Sequence, residues 1–320
     1  MKRLFIFLGI ALSAIGSMAR AQEVGSKFSD YIPEVSLDMR GSYRIDSENT
    51  SGHFTGDDLN IDINGYISPS FSYSFNHRIA SSYYGKASGF DATNWLTLTY
   101  ETDAFSVTAG KDALIMGSFE YDAYDLDAYY EMNSCFYNEF DCWQWGVSAA
   151  WYPAEDHELI LQVANSPFAF EETGLYSYAL GWRGAWDWYE SYWTANLWQY
   201  EPTGFIKALN FGNRFAFGGF TVDMDLMFRF DDFTEDCGFT GTVAPSYQFG
   251  EWGRLFAKAG WETNQNFIIG GGFEYFPLKE NKDIRLHAAY THNDYMIGDM
   301  VSVGLTWKMN LTKFLKPERK

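Results

Sequence analysis

The chain has 320 residues, with 42 Asp and Glu against 23 Lys and Arg, and a formal net charge of -19 at pH 7. This acidic excess argues against a nucleic-acid partner, because binding to a phosphate backbone depends on basic surface. Aromatic residues make up 19% of the chain and there are only 3 Cys, which excludes a small disulfide-stapled domain.

The N-terminus has the pattern of a secretory signal peptide. Lys2 and Arg3 precede a short apolar run, and Ala19 and Ala21 are the small residues that signal peptidase reads. The apolar run is shorter than the roughly 20 residues that a membrane-spanning helix requires. We therefore expect residues 1–21 to be removed and residues 22–34 to form an N-terminal periplasmic segment.

From residue 35 onward, apolar and polar residues alternate with the two-residue period of β-strands. In the first run Val35 and Leu37 share one face, and Ser36 and Asp38 share the other. Such runs recur about sixteen times, and the connections between them are alternately long and short, as in bacterial outer-membrane barrels. The sequence therefore predicts an all-β fold, a transmembrane antiparallel β-barrel over residues 35–311, followed by a periplasmic tail over 312–320. A soluble β-sandwich is the alternative.

Almost all charges on the predicted strands fall on the polar face. Arg or Lys on the lipid face would cost about 2 to 4 kcal/mol at the membrane midplane, whereas a water-filled interior accepts charge. This distribution favours an aqueous lumen. The basic residues predicted to line it beyond the first strands are Arg183, Arg214, Arg229, Lys258 and Arg285.

Residues 111–142 form the longest stretch without clean alternation. We predict that this third long loop folds into the lumen and forms a constriction. Its candidate acidic residues are Asp112, Glu120, Asp122, Asp125, Asp127 and Glu131. They would face Arg40, Arg44 and Arg78 of the first strands and create a transverse field across the pore. The alternative is that these arginines pair with neighbouring lumen carboxylates and the loop acids face the outside solvent.

The remaining reactive residues do not indicate an enzyme or a cofactor. Cys135 and Cys142 lie within the loop and could form a disulfide, with two free thiols as the alternative. The His residues do not lie in a nucleophile motif, and acidic residues 231–236 are better explained as a solvated loop than as a calcium site. We predict no catalytic residue, no metal and no cofactor.

Several stretches resemble the phosphate-selective porin O and P family as it occurs in Bacteroidetes. They are GYISPSFSYSFNHRI (65–79), AGKDALIMGSFEYDAYDLDAYY (109–130), QVANSPF (162–168), NFGNRFAFGGFTVDMDLMFR (210–229), FEYFPLKENKDIRLHAAYTHND (273–294) and VSVGLTWKMNLTKF (301–314). The resemblance implies a sixteen-stranded porin, a homotrimer, with its third extracellular loop in the lumen. The loop departs from the basic residues that the family name implies, because Lys111 is its only basic residue. The preference for cations or anions is therefore left open.

These observations together predict a passive diffusion porin of the bacterial outer membrane. Its expected partners are membrane lipid and small hydrophilic solutes or ions. Two alternatives remain: a barrel with a plugged lumen that docks in a surface complex, and a barrel-embedded hydrolase.

Overall fold

The computed structural model describes residues 32–47, 50–81, 89–122, 134, 141–169, 174–230, 238–263, 266–278, 282–294 and 298–315, with only the backbone described at 121, 122, 314 and 315. The predicted signal peptide lies outside these residues. The strands are β1 (Glu34–Asp46), β2 (His53–Ser68), β3 (Phe71–Ser81), β4 (Thr93–Glu101), β5 (Phe105–Ala113), β6 (Trp143–Ala154), β7 (His157–Asn165), β8 (Tyr176–Trp186), β9 (Tyr189–Gln199), β10 (Phe205–Phe217), β11 (Phe220–Phe230), β12 (Phe239–Phe249), β13 (Gly253–Glu262), β14 (Phe267–Tyr275), β15 (Ile284–Asn293) and β16 (Gly298–Asn310). Two short helices accompany them, α1 (Phe119–Asp122) and α2 (Leu311–Leu315). No helix in the described ranges is long and apolar enough to cross a membrane.

The sixteen strands form one closed barrel, in which each strand is antiparallel to both neighbours. The first and last strands close it, with β1 paired to β16 from Ser36 opposite Asn310 to Asp46 opposite Met300. Closure leaves no strand with unpaired backbone groups along its edge, which is the condition for crossing a lipid bilayer with β-structure. The predicted antiparallel barrel of about sixteen strands is confirmed.

Alternation sorts the side chains of the wall into two faces. On β7, Leu161 and Val163 are 61% and 47% exposed on the outside, whereas Gln162 between them is 7% exposed on the inside. The same contrast holds on β9 for exposed Leu197 and buried Asn196. The outer face is thus suited to lipid and the inner face carries the polar side chains, as expected for a barrel with a polar interior.

Aromatic rings form rows on the outer face. Near the short turns, the ring of Tyr189 lies 5.4 Å from that of Trp186 and 5.2 Å from that of Phe215, centroid to centroid. A second row runs toward the long loops, with neighbouring centroids 5.3 to 6.2 Å apart. Its members are Trp193, Phe211, Phe228, Phe239 and Trp261. Aromatic girdles at both membrane interfaces are typical of such barrels.

The pairing of β1 with β2 is interrupted by a β-bulge. Arg40 lies opposite Asp58 and Gly41 lies opposite Gly56, so Asp57 is an additional residue on β2. A bulge bends the strand and redirects the side chain of the extra residue. Three further register shifts follow in the neighbouring pairs, two between β2 and β3 and one between β3 and β4. Most of the register shifts in the described wall therefore lie in the first four strands, with another between β6 and β7.

Thr312 in α2, just after the last strand, is hydrogen-bonded to the start of the first strand. Its Oγ1 accepts a hydrogen bond from the backbone N–H of Val35 at 2.7 Å and donates one to the carbonyl of Pro33 at 3.1 Å. Asn310 caps the helix, since its Oδ1 accepts from the N–H of Lys313 at 3.1 Å. The sequence did not predict this helix.

Replacing Thr312 by Val is expected to lower the free energy of unfolding by about 1 to 3 kcal/mol, because the partly buried N–H of Val35 would lose its acceptor. The measurement is denaturant unfolding in detergent, followed by Trp fluorescence. Thr312→Ser keeps the hydroxyl and serves as the control. An equal loss in both variants would contradict the role of the hydroxyl.

Candidate functional site

The residues that follow β5 run along the inner face of the barrel wall. We call residues 114–122 the crossing segment, because contacts of its backbone and side chains reach from β7 to β13. The side chains that hold it are Gln162 on β7, Thr194 and Asn196 on β9, Asp225 on β11 and Lys258 on β13. All five lie on the inner face of their strands.

Neutral side chains hold the first half of the crossing segment. Gln162 holds the junction of β5 and the segment: its Nε2 donates to the carbonyl of Ala113 at 2.9 Å, and its Oε1 accepts from the N–H of Ile115 at 2.8 Å. Asn196 Nδ2 donates to the carbonyl of Ile115 at 2.7 Å, and Thr194 Oγ1 accepts from the N–H of Gly117 at 2.9 Å. These bonds satisfy backbone groups that would otherwise be buried without partners.

Gly117 brings the crossing segment into contact with the backbone of β9. A Cβ at this position would lie 2.7 Å from both the carbonyl oxygen of Tyr192 and the backbone nitrogen of Thr194. Atoms of a wall strand cannot give way as a flexible side chain can. The segment therefore requires Gly at its closest approach to the wall.

Apolar packing accompanies these hydrogen bonds. Leu114 and Met116 of the crossing segment are buried against side chains on the inner faces of β7, β9, β10 and β11, together with one residue after β7. The other buried members of this cluster are Ala164, Phe168, Trp198, Ile206, Ala208 and Met227. Part of the barrel interior is therefore a small hydrophobic core that fixes the segment to one side of the lumen.

Asp225 holds the start of α1. Its two carboxylate oxygens accept the N–H groups of Phe119 and Glu120, each at 2.9 Å. The N–H groups of the first helical residues have no partner within their own helix, so a carboxylate from β11 takes the place of an N-cap. Both Phe119 and Glu120 are buried.

A buried ion pair joins the crossing segment to β13. Lys258 Nζ lies 2.8 Å from Glu120 Oε1, and both side chains are 5% exposed. The same oxygen accepts the N–H of Ser134, a later residue of the long loop. Glu120 thus links the crossing segment both to the barrel wall, through Lys258, and to a later part of the same loop, through Ser134.

A second charged group lies beside the crossing segment. Arg214 makes a bidentate pair with Asp223, with Nε to Oδ1 at 2.7 Å and Nη2 to Oδ2 at 3.0 Å. Its guanidinium carbon lies 4.2 Å from the centroid of the Phe119 ring. On the neighbouring wall, the guanidinium of Arg183 lies over the ring of Tyr192 at 4.1 Å.

The opposite side of the barrel carries the arginines of the first strands. β1 lies eight strands from β9 in either direction around the barrel. Asp57 contacts both Arg40, Nε to Oδ2 at 3.4 Å, and Arg44, Nη2 to Oδ1 at 2.8 Å. Arg78 Nη2 donates to the carbonyl of Asp91 at 3.0 Å.

The structure brings together only part of the predicted constriction. Among the predicted acids with described side chains, Glu120 bonds Lys258, and Asp112 Oδ1 accepts from the N–H of Ala113 at 2.8 Å. Lys111 Nζ donates to the carbonyl of Phe90 at 2.9 Å. Arg229 is buried on the inner face, and Arg285 lies opposite inward-facing Thr306. Predicted residues whose side chains lie outside the described part are Asp122, Asp125, Asp127, Glu131 and Cys135.

The thiol of Cys142, where the long loop meets β6, has no disulfide partner among the described residues. Burial raises the pKa of this thiol, so it stays protonated at neutral pH. Because Cys135 lies outside the described residues, the predicted disulfide stays a prediction. Within the described ranges, no group of three or more His, Cys, Asp and Glu side chains could hold a metal ion.

Sequence reasoning did not single out Asp57, Gln162, Thr194 or Asn196. Gln162, Thr194 and Asn196 are polar residues at inward positions of their strands. Many other strands have such residues, so the sequence alone does not distinguish these three. Asp57 had a clearer signal, because two consecutive acids in one strand cannot both face the lumen without a bulge.

Comparison with known proteins adds two findings. Residues 31–186 match a family model described as phosphate-selective porin O and P, a range that includes β1 to β8 and the crossing segment. Solved structures of engineered Rhodopseudomonas blastica porins have the same fold. One mutant has a TM-score of 0.63 at 11% identity, and a triple mutant has 0.60 at 12% identity; each alignment covers 87% of this chain and 100% of the other. No curated protein matches the chain.

The family match and the sixteen-stranded barrel define a porin, a passive channel of the bacterial outer membrane. Within that class, residues 31–186 match the model of the phosphate-selective porin O and P family, which confirms over this range the resemblance noted from the sequence. Family and fold are those of a channel rather than of an enzyme.

Proposed function

We propose that the crossing segment forms the constriction of this porin and that small hydrophilic solutes and ions diffuse past it. The observation that carries the proposal is the attachment of the segment to the inner faces of four strands, from Gln162 on β7 to Lys258 on β13. A segment that is fixed to so much of the wall narrows the lumen permanently. It does not open and close the channel by moving. Asp122 at the end of the segment and the rest of the long loop, with Asp125, Asp127 and Glu131, complete the constriction in this proposal.

The charges of the described lumen support weak selectivity rather than phosphate capture. Several basic side chains on the inner wall have carboxylate partners, such as Arg214 with Asp223, Arg254 with Glu274 and Lys258 with Glu120. A cation already paired with a carboxylate attracts an entering anion less than an unpaired one. Lys111, the only basic residue of the stretch predicted as the loop, lies near the end of β5 and contacts a backbone carbonyl instead.

The first experiment is single-channel recording of the purified protein in a planar bilayer under a salt gradient, repeated with added phosphate. Steady open conductance without phosphate block supports the proposal. Phosphate block with anion preference would contradict weak selectivity, and absence of conductance would favour the plugged docking barrel. Hydrolysis abolished by one Ser or His substitution would favour the enzyme alternative.

Replacing Gly117 by Val is expected to reduce the conductance. The added side chain would overlap the backbone of β9, and the crossing segment would shift away from the wall into the lumen. Gly218→Val in the turn between β10 and β11 is the control, since nothing lies within 4 Å of a Cβ there, although its φ of 62° makes it a strained position. Unchanged conductance in Gly117→Val, with the barrel folded, would contradict a constriction formed by this segment.

Processing and assembly belong to the same proposal. Residues 1–21 are a cleaved export signal, residues 22–34 and 312–320 are periplasmic, and the porin assembles as a homotrimer in the outer membrane. N-terminal sequencing of the mature protein tests cleavage before Gln22. Light scattering of the detergent-solubilised protein tests the trimer, and a monomer mass would contradict it.

A further inference from the structure

Asp57 lies in the lumen because of the bulge between β1 and β2. Strict alternation would place it on the outer face with Leu59 and Ile61, where its carboxylate would meet lipid. The pairing instead passes from Arg40 opposite Asp58 to Gly41 opposite Gly56, and Asp57 turns inward. Its side chain is 0% exposed.

One carboxylate thereby serves two arginines. Oδ2 of Asp57 lies 3.4 Å from Arg40 Nε, and Oδ1 lies 2.8 Å from Arg44 Nη2. Arg44 Nε also donates to Ser42 Oγ at 2.9 Å, which fixes its guanidinium group. The side chain of Arg40 is 1% exposed and that of Arg44 is 10% exposed, so salt in the channel screens these pairs only weakly.

The next residue adds a second acid to this group. Asp58 interacts electrostatically with Arg78 and with Arg40. The three arginines that could give the channel a basic wall are therefore combined with two carboxylates. With all five side chains ionised, the group carries a formal charge of +1 instead of +3.

The position of this group makes its charge relevant to permeation. It lies on β1 to β3, and β1 is diametrically opposite β9, where Thr194 and Asn196 hold the crossing segment. A solute that passes between the segment and the facing wall therefore passes this group. The charge on that wall contributes to the preference of the pore for cations or anions.

We propose that Asp57 is a specificity-determining residue of this porin. Its carboxylate is shared between Arg40 and Arg44. This shared negative charge prevents the arginines of β1 and β3 from raising the local concentration of anions in the channel. The proposal rests on the constriction function stated above. In water, one unit charge at roughly 6 Å changes the local concentration of a monovalent ion about threefold. Loss of the Asp57 charge should therefore change ion preference without any change in pore size.

The test is the reversal potential of Asp57→Asn under a potassium chloride gradient, compared with wild type in the same bilayer. Asn preserves the size of the side chain at the bulge. We expect the permeability ratio of chloride to potassium to rise several-fold, up to about tenfold because the two ions respond in opposite directions, with a similar open conductance. We also expect inorganic phosphate to reduce the current more strongly than in wild type.

Asp283→Asn is the matched control, because it removes the same charge from a carboxylate just before β15, 3.9 Å from Lys313 and away from the crossing segment. An equal shift in this control, or no shift in Asp57→Asn, would overturn the assignment. If Asp57→Asn does not fold, the double variant Arg40→Gln with Arg44→Gln leaves Asp57 charged and should shift the preference toward potassium. An unshifted double variant would also overturn it. A wild-type protein that does not conduct would instead overturn the constriction function.

Discussion

Lys258→Met is expected to release the crossing segment from β13. The substitution leaves the carboxylate of Glu120 buried without its cation, which costs about 3 to 5 kcal/mol in comparable buried pairs. Because that energy opposes docking of the segment rather than formation of the barrel, we expect a noisy open-channel current with repeated changes of level. Single-channel recording at constant voltage measures this directly.

The double variant Lys258→Met with Glu120→Gln is the matched control. It removes both charges, and the Gln oxygen can still accept the N–H of Ser134. We expect a quiet current close to that of wild type, since replacing both members of a buried ion pair is far less costly than removing one. A single variant as quiet as the double variant would show that the ion pair does not hold the segment.

Asp225→Ala is expected to have the second large effect. It removes the acceptor of two buried N–H groups, those of Phe119 and Glu120, at about 1 to 3 kcal/mol each. The start of α1 should then open locally while the barrel remains closed. Hydrogen exchange of the amides of residues 117–120 should accelerate by one or more orders of magnitude, which mass spectrometry measures.

Asp223→Ala, two residues away on the same strand and face, is the control for Asp225→Ala. Its carboxylate bonds Arg214, which is partly exposed to the lumen, and it does not contact the backbone of the crossing segment. We expect little change in exchange at residues 117–120. Equal acceleration in both variants would mean that general loss of lumen charge, rather than the two hydrogen bonds of Asp225, destabilises the segment.

The strands could be predicted because a barrel wall imposes one rule on every strand. That rule is alternation, because lipid outside requires apolar side chains and the interior takes polar ones. It is visible in three consecutive residues, Leu161, Gln162 and Val163. The bulge at Asp57 could not be read from alternation, because it depends on how β2 pairs with β1. The repeated acid at Asp57 and Asp58 was the available indication.

The functional site was predictable in part for a related reason. The break in alternation located the long loop, and alternation placed Lys258 in the lumen. The bond between Lys258 and Glu120 spans 138 positions of the chain, and no local pattern pairs them. The same holds for Gln162 and Asn196, whose amides resemble other inward polar residues until the path of the loop is known.

The hydrogen bonds of Thr312 and the pairing of β1 with β16 join the first and last parts of the barrel to be synthesised. β1 is the first strand to leave the export machinery, yet its partner β16 is made last, and the hydroxyl that bonds Val35 comes two residues later still. Until β16 has been made, one edge of β1 has no partner in its own chain, and such an edge can pair with other chains. The unfolded chain therefore depends on being kept apart from its copies until β16 is available, and a truncation after Leu311 would remove Thr312 while leaving all sixteen described strands complete.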